Sequence, residues 1–336
     1  MVGIRDVARK AQVSPATVSR VLNADPTISV TQQTRQRILA AAKALNYDIH
    51  QRKYIHKRKP SIGVISTISQ AAEKEDVYYQ QLRLGMEEEA RRLHLGMNRI
   101  YNLSDNPKQW RDLDQLGAMI VIGTVKKEAI AQLMMQNDNI VVVDYPDLQL
   151  PVDMVYADLM RMTQTILELF VESGHQRIAY IGGYKVDVDE QGTKQSSPTE
   201  KRFLTYQHFM RDHHLPSQAY LGGWSIAEGE RLANELLKAK ERPTALLVAS
   251  DPLALGVYQA LNKKLAIGQD LMIASFDNIS AVHQLSPGLT TVQLPATAIG
   301  KTAVRLALER IDGIRTEPII VTYPTNLVIR ESFVPK

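Results

Sequence analysis

The chain has 336 residues, 44% hydrophobic and 23% charged, so it is long enough for more than one folded domain and too apolar for global disorder. It contains no cysteine, which removes disulfides, thiolate metal sites and cysteine nucleophiles and predicts a reducing, cytoplasmic setting. No apolar run approaches a membrane span, and Met1–Asp6 opens without the apolar stretch of a secretory signal. The formal charge of +4 conceals an asymmetry: residues 1–59 hold twelve Lys/Arg against three acids, a net +9, and the remaining 277 carry −5. A small basic module joined to a larger acidic one predicts a polyanionic partner for the first module only.

Ile4, Val7, Ala8 and Ala11 recur at helical spacing and predict a first short helix. Ser14 before Pro15 reads as an N-cap with proline at the first helical position, opening a second helix to about Leu22. On it, Val18, Val21 and Leu22 fall on one side and can pack on the first helix. Pro15, Ala16, Ser19 and Arg20 fall on the other. After the loop Asn23–Pro26, Thr31 caps a third helix through Leu45, on which Ile38, Ala42 and Leu45 share a face. Two short helices about a tight turn, followed by a third, form a helix-turn-helix arrangement. Small residues at the start of the second helix let its backbone sit deep in the major groove, and an arginine one turn later can offer its bidentate fork to guanine. A generic three-helix bundle buries similar stripes, so the pattern alone leaves both readings open.

The string IRDVARKAQVSPATVSRVLN (4–23), followed by VTQQTRQRILAAAKALNY (30–47), closely resembles the N-terminal domain of the LacI/GalR family of bacterial transcriptional repressors. The resemblance implies that Pro15 and Ala16 occupy the variable base-reading positions and Arg20 the base-contacting arginine. Ser14 counts with this DNA-binding face, and Thr17, Ser19, Asn23, Thr31 and Thr34 look like phosphate contacts, which position without specifying sequence. Ala16 offers only apolar contact, for instance to a thymine methyl, so Arg20 carries much of the direct readout. In the family, the segment equivalent to DIHQRKYIHKRKP (48–60) forms a hinge helix on the operator and wedges an apolar side chain into the minor groove. The familiar small/apolar pattern is missing here; Ile55, then Tyr54, is the candidate wedge, and a solvated basic linker is the alternative. Arg52, with Lys53, Lys57 and Arg58, favours phosphates under either reading.

From Ser61 onward the apolar runs SIGVIST, AMIVIG, NIVVVDY, RIAYIGG, ALLVASD and LMIASFD alternate with helical stretches, the signature of βαβ units and parallel sheets. ESGHQRIAYIGG, RPTALLVASDPLALGVYQAL, LMIASFDN and SPGLTTVQLP match in order the core of the same family, which looks like a periplasmic sugar-binding protein. DVYYQQLRLGME, AMIVIGT and GGWSIAEGE are most similar to repressors of β-galactoside operons. The expected fold is therefore a small all-α helix-turn-helix DNA-binding domain (1–47), a linker (48–60), and an α/β periplasmic-binding-protein-like core of two doubly wound subdomains. These are expected over 61–157 with 292–320, and over 158–291 with 321–336.

Sugar recognition needs planar polar groups and an aromatic platform in a preformed cleft, and open α/β sheets place ligands at the C-terminal ends of their strands. Asp144, Ser250, Asp251 and Asp277 end predicted strands and can bond sugar hydroxyls. The aspartates can equally cap the following helices, most readily Asp251, since Pro252 can begin a helix. By resemblance, Arg202 matches the family's ligand-gripping arginine and Trp224 its stacking aromatic; Ser250 stands where lactose-type relatives have asparagine. Tyr79, beside Tyr78, reads as lining the cleft or as helix-start packing. No phosphate-binding glycine loop, HExxH or Gly-x-Ser-x-Gly elbow occurs. Gly182-Gly183 reads as a turn, and His208, His213 and His214 as surface residues, so no catalytic residue, metal or cofactor is assigned and the chain is not read as an enzyme.

The family implies a homodimer on a palindromic operator, released by a small sugar inducer, here a galactoside. No heptad-bearing tail follows VIRESFVPK, which favours a dimer over a tetramer. The alternatives are a corepressor- or phosphoprotein-assisted regulator, and a sugar receptor without DNA function.

Overall fold

The computed structural model describes residues 4–22, 28–45, 47, 61–103, 113–261 and 264–335. The chain divides into two compact units, Met1–Arg58 and Lys59–Lys336.

In the first unit, α1 (Ile4–Ala11), α2 (Pro15–Leu22) and α3 (Gln32–Ala44) enclose a core of Val7, Ala8, Ala11, Val18, Val21, Ile38, Ala41 and Ala42. Local chemistry sets each boundary. Gln12 takes a left-handed φ of 54°, and the Val13 N–H closes on the Ala8 carbonyl, which stops α1 and turns the chain. The Ser14 hydroxyl accepts the Thr17 N–H (3.1 Å) and Thr31 accepts that of Thr34 (3.3 Å), so α2 and α3 begin where side-chain caps predict.

The second unit holds two six-stranded sheets. The first is built from β1 (Ser61–Ser66), β2 (Gly96–Asn102), β3 (Ala118–Ile122), β4 (Ile140–Val143) and β5 (Asp153–Ala157), all parallel, with α4 (Gln70–Glu75), α5 (Val77–Arg92) and α6 (Lys127–Gln136) between them. Side chains alternate across it. Ile62, Val64, Ile120 and Val141 join the cluster holding Leu82 of α5, while Ile65, Met119, Val121 and Val142 join that holding Ile130 of α6. The chain then crosses through α7 (Leu159–Glu172) to β6 (Ile178–Gly183), the hairpin β7 (Lys185–Val188) and β8 (Lys194–Ser197), α8 (Lys201–Asp212), β9 (Gln218–Gly222), α9 (Ile226–Leu236), β10 (Ala245–Val248), α10 (Asp251–Leu261), β11 (Met272–Asp277) and β12 (Thr290–Gln293). It returns through α11 (Ala296–Ile311) to add β13 (Ile320–Tyr323) to the first sheet beside β5, and ends with β14 (Asn326–Val328) antiparallel to β12.

The strand orders β13-β5-β4-β3-β1-β2 and β14-β12-β11-β10-β6-β9 reverse between β1 and β3 and between β6 and β10. These are the switch points at which a doubly wound sheet opens a crevice. The halves meet a few residues from the bounds read off the sequence. β12 pairs within the second sheet through Gln293, and β13 within the first through Tyr323, because a strand divided between two sheets would forfeit its ladder bonds. Among the described residues no helix is long and apolar enough to cross a membrane.

Each half is pinned by a helix pair in near backbone contact. A side chain on Gly300 of α11 would meet the Leu82 carbonyl of α5, and one on Gly256 of α10 the Ile226 carbonyl of α9. Gly300→Ala is therefore expected to cost about 1–3 kcal/mol by overpacking, read as a drop in Tm by calorimetry. An unchanged Tm would mean that the pair separates without loss.

Candidate functional site

In the first unit, the residues expected to face DNA lie on α2 and at the start of α3. Pro15, Ala16 and Arg20 are exposed, Thr17 and Ser19 half-buried. Val18 and Val21, on the opposite side, are buried in the core, so the apolar stripe fixes which face α2 turns outward. Ser14 and Thr31 are already engaged as caps, and their hydroxyls also pair with those of Thr17 (2.8 Å) and Thr34 (2.9 Å). Asn23, Arg52, Tyr54, Ile55 and the whole 48–60 segment lie outside the described residues.

In the second unit, a cavity of about 480 Å³ opens between the sheets at both switch points, within the roughly 300–1,000 Å³ of small-molecule sites. Thr67, Gly123 and Thr124 line it from the ends of β1 and β3, Asp144 from β4, Tyr184 from β6, Ser250 from β10 and Asp277 from β11. Arg202, Trp224, Tyr78 and Tyr79 line it as well.

Arg202 is the cavity's central cation. It is fixed at the start of α8 by Glu200, whose carboxylate caps the helix through the Arg202 and Phe203 N–H groups and accepts from Arg202 Nε at 2.9 Å. A second guanidinium N–H reaches the Ala249 carbonyl. Trp224 and Phe276 flank the guanidinium, with ring centroids 5.1 and 5.4 Å away. Burial opposes its charge, but Glu200, Tyr180 and Asp277 more than offset that and hold it above its ordinary value.

Among the carboxylates that line the cavity beside this cation, three are displaced upward. Asp144 stands at the end of β4 with φ of 61° and accepts the Tyr78 hydroxyl at 2.7 Å. Burial raises it and Tyr78 and Arg202 pull it back, leaving it at about 6 against an ordinary 3.8. Asp277, at φ 110°, is pushed well above the carboxylate range by burial and by the Asp251 charge. Asp76 caps α5 through the Tyr78 N–H (2.9 Å) and is raised by burial. The site therefore offers buried carboxylate acceptors to a ligand that brings hydroxyl donors. Ser250 is buried, and its hydroxyl has no hydrogen-bond partner among the described residues.

The cavity thus gathers Tyr79, Asp144, Arg202, Trp224, Ser250 and Asp277 from the sequence expectation, and Tyr78 both packs against the core at its helix start and donates to Asp144. Asp251 is the correction. It is fully buried and does not line the cavity; its carboxylate accepts the Ile279 N–H (3.0 Å) and the Thr291 hydroxyl (2.8 Å), tying β11 and β12 to α10. Gly182-Gly183 is also not a turn. Both end β6, and the absence of a side chain on Gly183 lets the Trp224 indole lie against its backbone, with Nε1 donating to the Tyr184 carbonyl at 3.0 Å. Asp76 and Glu200 are absent from the sequence expectation, although both act locally, Asp76 on the Tyr78 N–H and Glu200 on Arg202 and Phe203, so helix-cap chemistry is the signal that could have found them.

Residues 3–48 match the model of the bacterial regulatory proteins of the lacI family, and residues 167–333 that of the periplasmic binding protein-like domain. The chain is 33% identical to the HTH-type transcriptional repressor MelR of Bacillus subtilis (strain 168) over 99% of its own length and 97% of the relative's. It is 32% identical to the HTH-type transcriptional regulator GanR of the same strain, covering 99% of each. Its fold superposes with a TM-score of 0.69 on the lac repressor dimer bound to operator and the anti-inducer ONPF, at 24% identity and 98% coverage of both chains. With a helix-turn-helix unit, a two-sheet core and full-length relatives of this kind, the chain belongs to the lacI family of bacterial regulatory proteins.

Proposed function

We propose that this regulator binds a palindromic operator as a homodimer through α2, represses sugar-utilisation genes in the cytoplasm, and releases DNA when a sugar of the galactoside class occupies the cavity between its sheets. The observation that carries the ligand reading is the cavity's donor–acceptor balance. Asp144 and Asp277 approach from different sheets, the buried Ser250 hydroxyl lacks a partner among the described residues, and one guanidinium and one indole sit beside them. A sugar offers what this arrangement lacks, many hydroxyl donors on a flat apolar ring. Because the acceptors belong to both sheets, such a ligand binds one arrangement of the two halves better than another. That difference in affinity is what allows it to shift DNA binding, and the coupling is reciprocal.

On the DNA side, Pro15, Ala16 and Arg20 would meet base edges, Thr17, Ser19 and Thr34 the backbone, with Ser14 and Thr31 holding the helix starts. Asn23, Arg52, Tyr54 and Ile55 keep the DNA-facing roles inferred from the family. Arg20→Ala is expected to cost about 1–3 kcal/mol of operator affinity and to relax base preference. Fluorescence anisotropy at fixed salt, with an operator fragment and a scrambled one, measures both; unchanged discrimination would remove Arg20 from the readout. Arg202→Ala and Asp277→Ala are expected to keep operator affinity and lose the response to sugar. Normal induction in both variants would move the ligand elsewhere.

The raised Asp144 pKa also makes stability depend on pH. An acid whose pKa rises on folding stabilises the fold when protonated, a contribution complete below 3.8 and lost as pH climbs through about 6. Asp277, Asp251 and Asp76 are displaced in the same direction. The ligand-free protein should therefore lose Tm between about pH 4 and 7, and Asp144→Asn should lose less over that interval. Equal slopes in calorimetry would show that Asp144 is not desolvated in the folded protein.

A further inference from the structure

The two halves of the second unit are joined covalently along one side. Short crossings run from β5 to α7, from β12 to α11 and from β13 to β14. The strands involved, β13 and β5 of the first sheet and β14 and β12 of the second, are neighbours at one edge of each sheet. Connections gathered in this way form a hinge about which two halves can turn. The displacement that a turn produces grows with distance from the hinge, so a contact across the cleft on the far side resists opening with the most leverage.

The β7–β8 hairpin makes such a contact. It leaves β6, next to the opposite edge of the second sheet, and lands on the segment that follows β3 of the first, where Val188 forms a parallel bridge with Val125. The Val188 N–H donates to the Thr124 carbonyl (2.9 Å), the Lys126 N–H to the Val188 carbonyl (2.8 Å), and the Thr124 hydroxyl to the Val186 carbonyl. Val188 is 1% exposed, seated in the apolar cluster of the first half with Val125 and Tyr145. Three polar contacts flank this seat, each with one partner in each half: Lys126 with Asp189 (3.7 Å), Lys201 with Asp147 (2.5 Å), and Lys185 with the Tyr145 hydroxyl (3.3 Å). A turn joining a strand to the next helix needs only a few residues, whereas the chain spends 184–200 on crossing the cleft. Val186, Val188 and Lys194 line the cavity from the hairpin, and Asp158 and Leu294 line it from the crossings. The ligand space therefore lies between a covalent hinge and a non-covalent fastening.

We propose that the β7–β8 hairpin is a clasp that holds the two halves shut on the side away from the hinge, that it is fastened in the ligand-free protein, and that passage into the cavity requires Val188 to leave its seat. The clasp operates whichever small molecule the cavity takes. Its parts release together, because Val188 carries the main-chain bonds to Thr124 and Lys126 as well as the apolar contact, and Asp189 is its neighbour. A core shut by its own clasp does not depend on a ligand to close it, and the opening of the clasp sets the rate at which ligand enters and leaves.

Two measurements on the full-length, ligand-free chain test it. Lys126 stands at the N-cap of α6, where its N–H has no partner within the helix, so the protection of that amide reports the clasp. In hydrogen exchange followed by mass spectrometry it should exchange at least about tenfold slower than in a free peptide. Access is read from Trp224, which lines the cavity. With the chain's other tryptophan removed by Trp110→Phe, acrylamide quenching reports the entry of a small neutral molecule. Val188→Asp places an unpaired carboxylate in an apolar seat and undocks the hairpin. It should abolish the protection of Lys126 and raise the quenching constant at least about twofold, as the open population passes from minor to major. A cooperative melting transition in calorimetry shows that the variant has folded; if it has none, Val188→Ala combined with Lys126→Ala takes its place for the quenching measurement, with the same expectation. Exchange of the Lys126 amide at the free-peptide rate in the unaltered chain would show that the clasp is not fastened and overturn it. Equal quenching constants in the undocked variant and the unaltered chain would also overturn it, because access would not depend on Val188. Neither result bears on the sugar reading, since no sugar is present.

Discussion

A guanidinium taken out of water between two halves of a protein is the constraint around which the core is arranged. The cost of desolvating the Arg202 charge is offset by Glu200, which is hydrogen-bonded to it, by Asp277 near it, and by the π faces of Trp224 and Phe276. Those compensations then impose their own demands. Phe276 and Asp277 must sit at the end of β11, Trp224 must lie against a residue with no side chain, which fixes Gly183, and Glu200 must cap the same helix that carries its partner. Burial raises Asp144, Asp76 and Asp277, and the Arg202 charge offsets that only in part, so all three are displaced toward neutrality.

This arrangement sets polar groups in a largely apolar cavity without making them tightly satisfied. A site whose acceptors were all matched by protein donors would be rigid and of little use to a hydroxylated ligand. Here the Tyr78 hydroxyl covers part of Asp144, and Ser250 is buried with no hydrogen-bond partner among the described residues. Such groups are costly to leave unpaired, and that cost is released when ligand hydroxyls arrive. Selectivity for a polyhydroxylated molecule over an apolar one of equal size follows from the same imbalance.

The parts legible in the sequence were those governed by local rules. The caps Ser14 and Thr31, the buried stripe of Val18 and Val21, and six apolar strand runs all follow from neighbours a few residues apart. What escaped depends on tertiary partners. β2 and β9 are edge strands with mixed sequences, GMNRIYN and QAYLG, and read as strands only once β1 and β6 lie beside them. The β7–β8 hairpin carries only Val186 and Val188 as apolar residues and is held by the Thr124–Lys126 loop. Asp251 ended a strand just as Asp144 and Asp277 did, but the Thr291 hydroxyl and Ile279 N–H, both far along the chain, draw its carboxylate inward. Strand-end position marks candidates; long-range hydrogen bonds decide which of them face the ligand.

The late return of the chain to the first sheet has a consequence for how such a protein can be divided. β13 and α11 arrive after the whole second sheet has been made, yet they close the edge of the first beside β5 and supply the helix whose Gly300 seats α5. β14, last of all, finishes the second. Neither half is a contiguous stretch of polypeptide, so no single cut yields two self-sufficient pieces, and a nascent chain leaves the ribosome with its first sheet unfinished until the final residues emerge. Exchange of ligand specificity between relatives by swapping one continuous block is correspondingly restricted: whatever alters the cavity must be grafted as separate loops onto an intact scaffold.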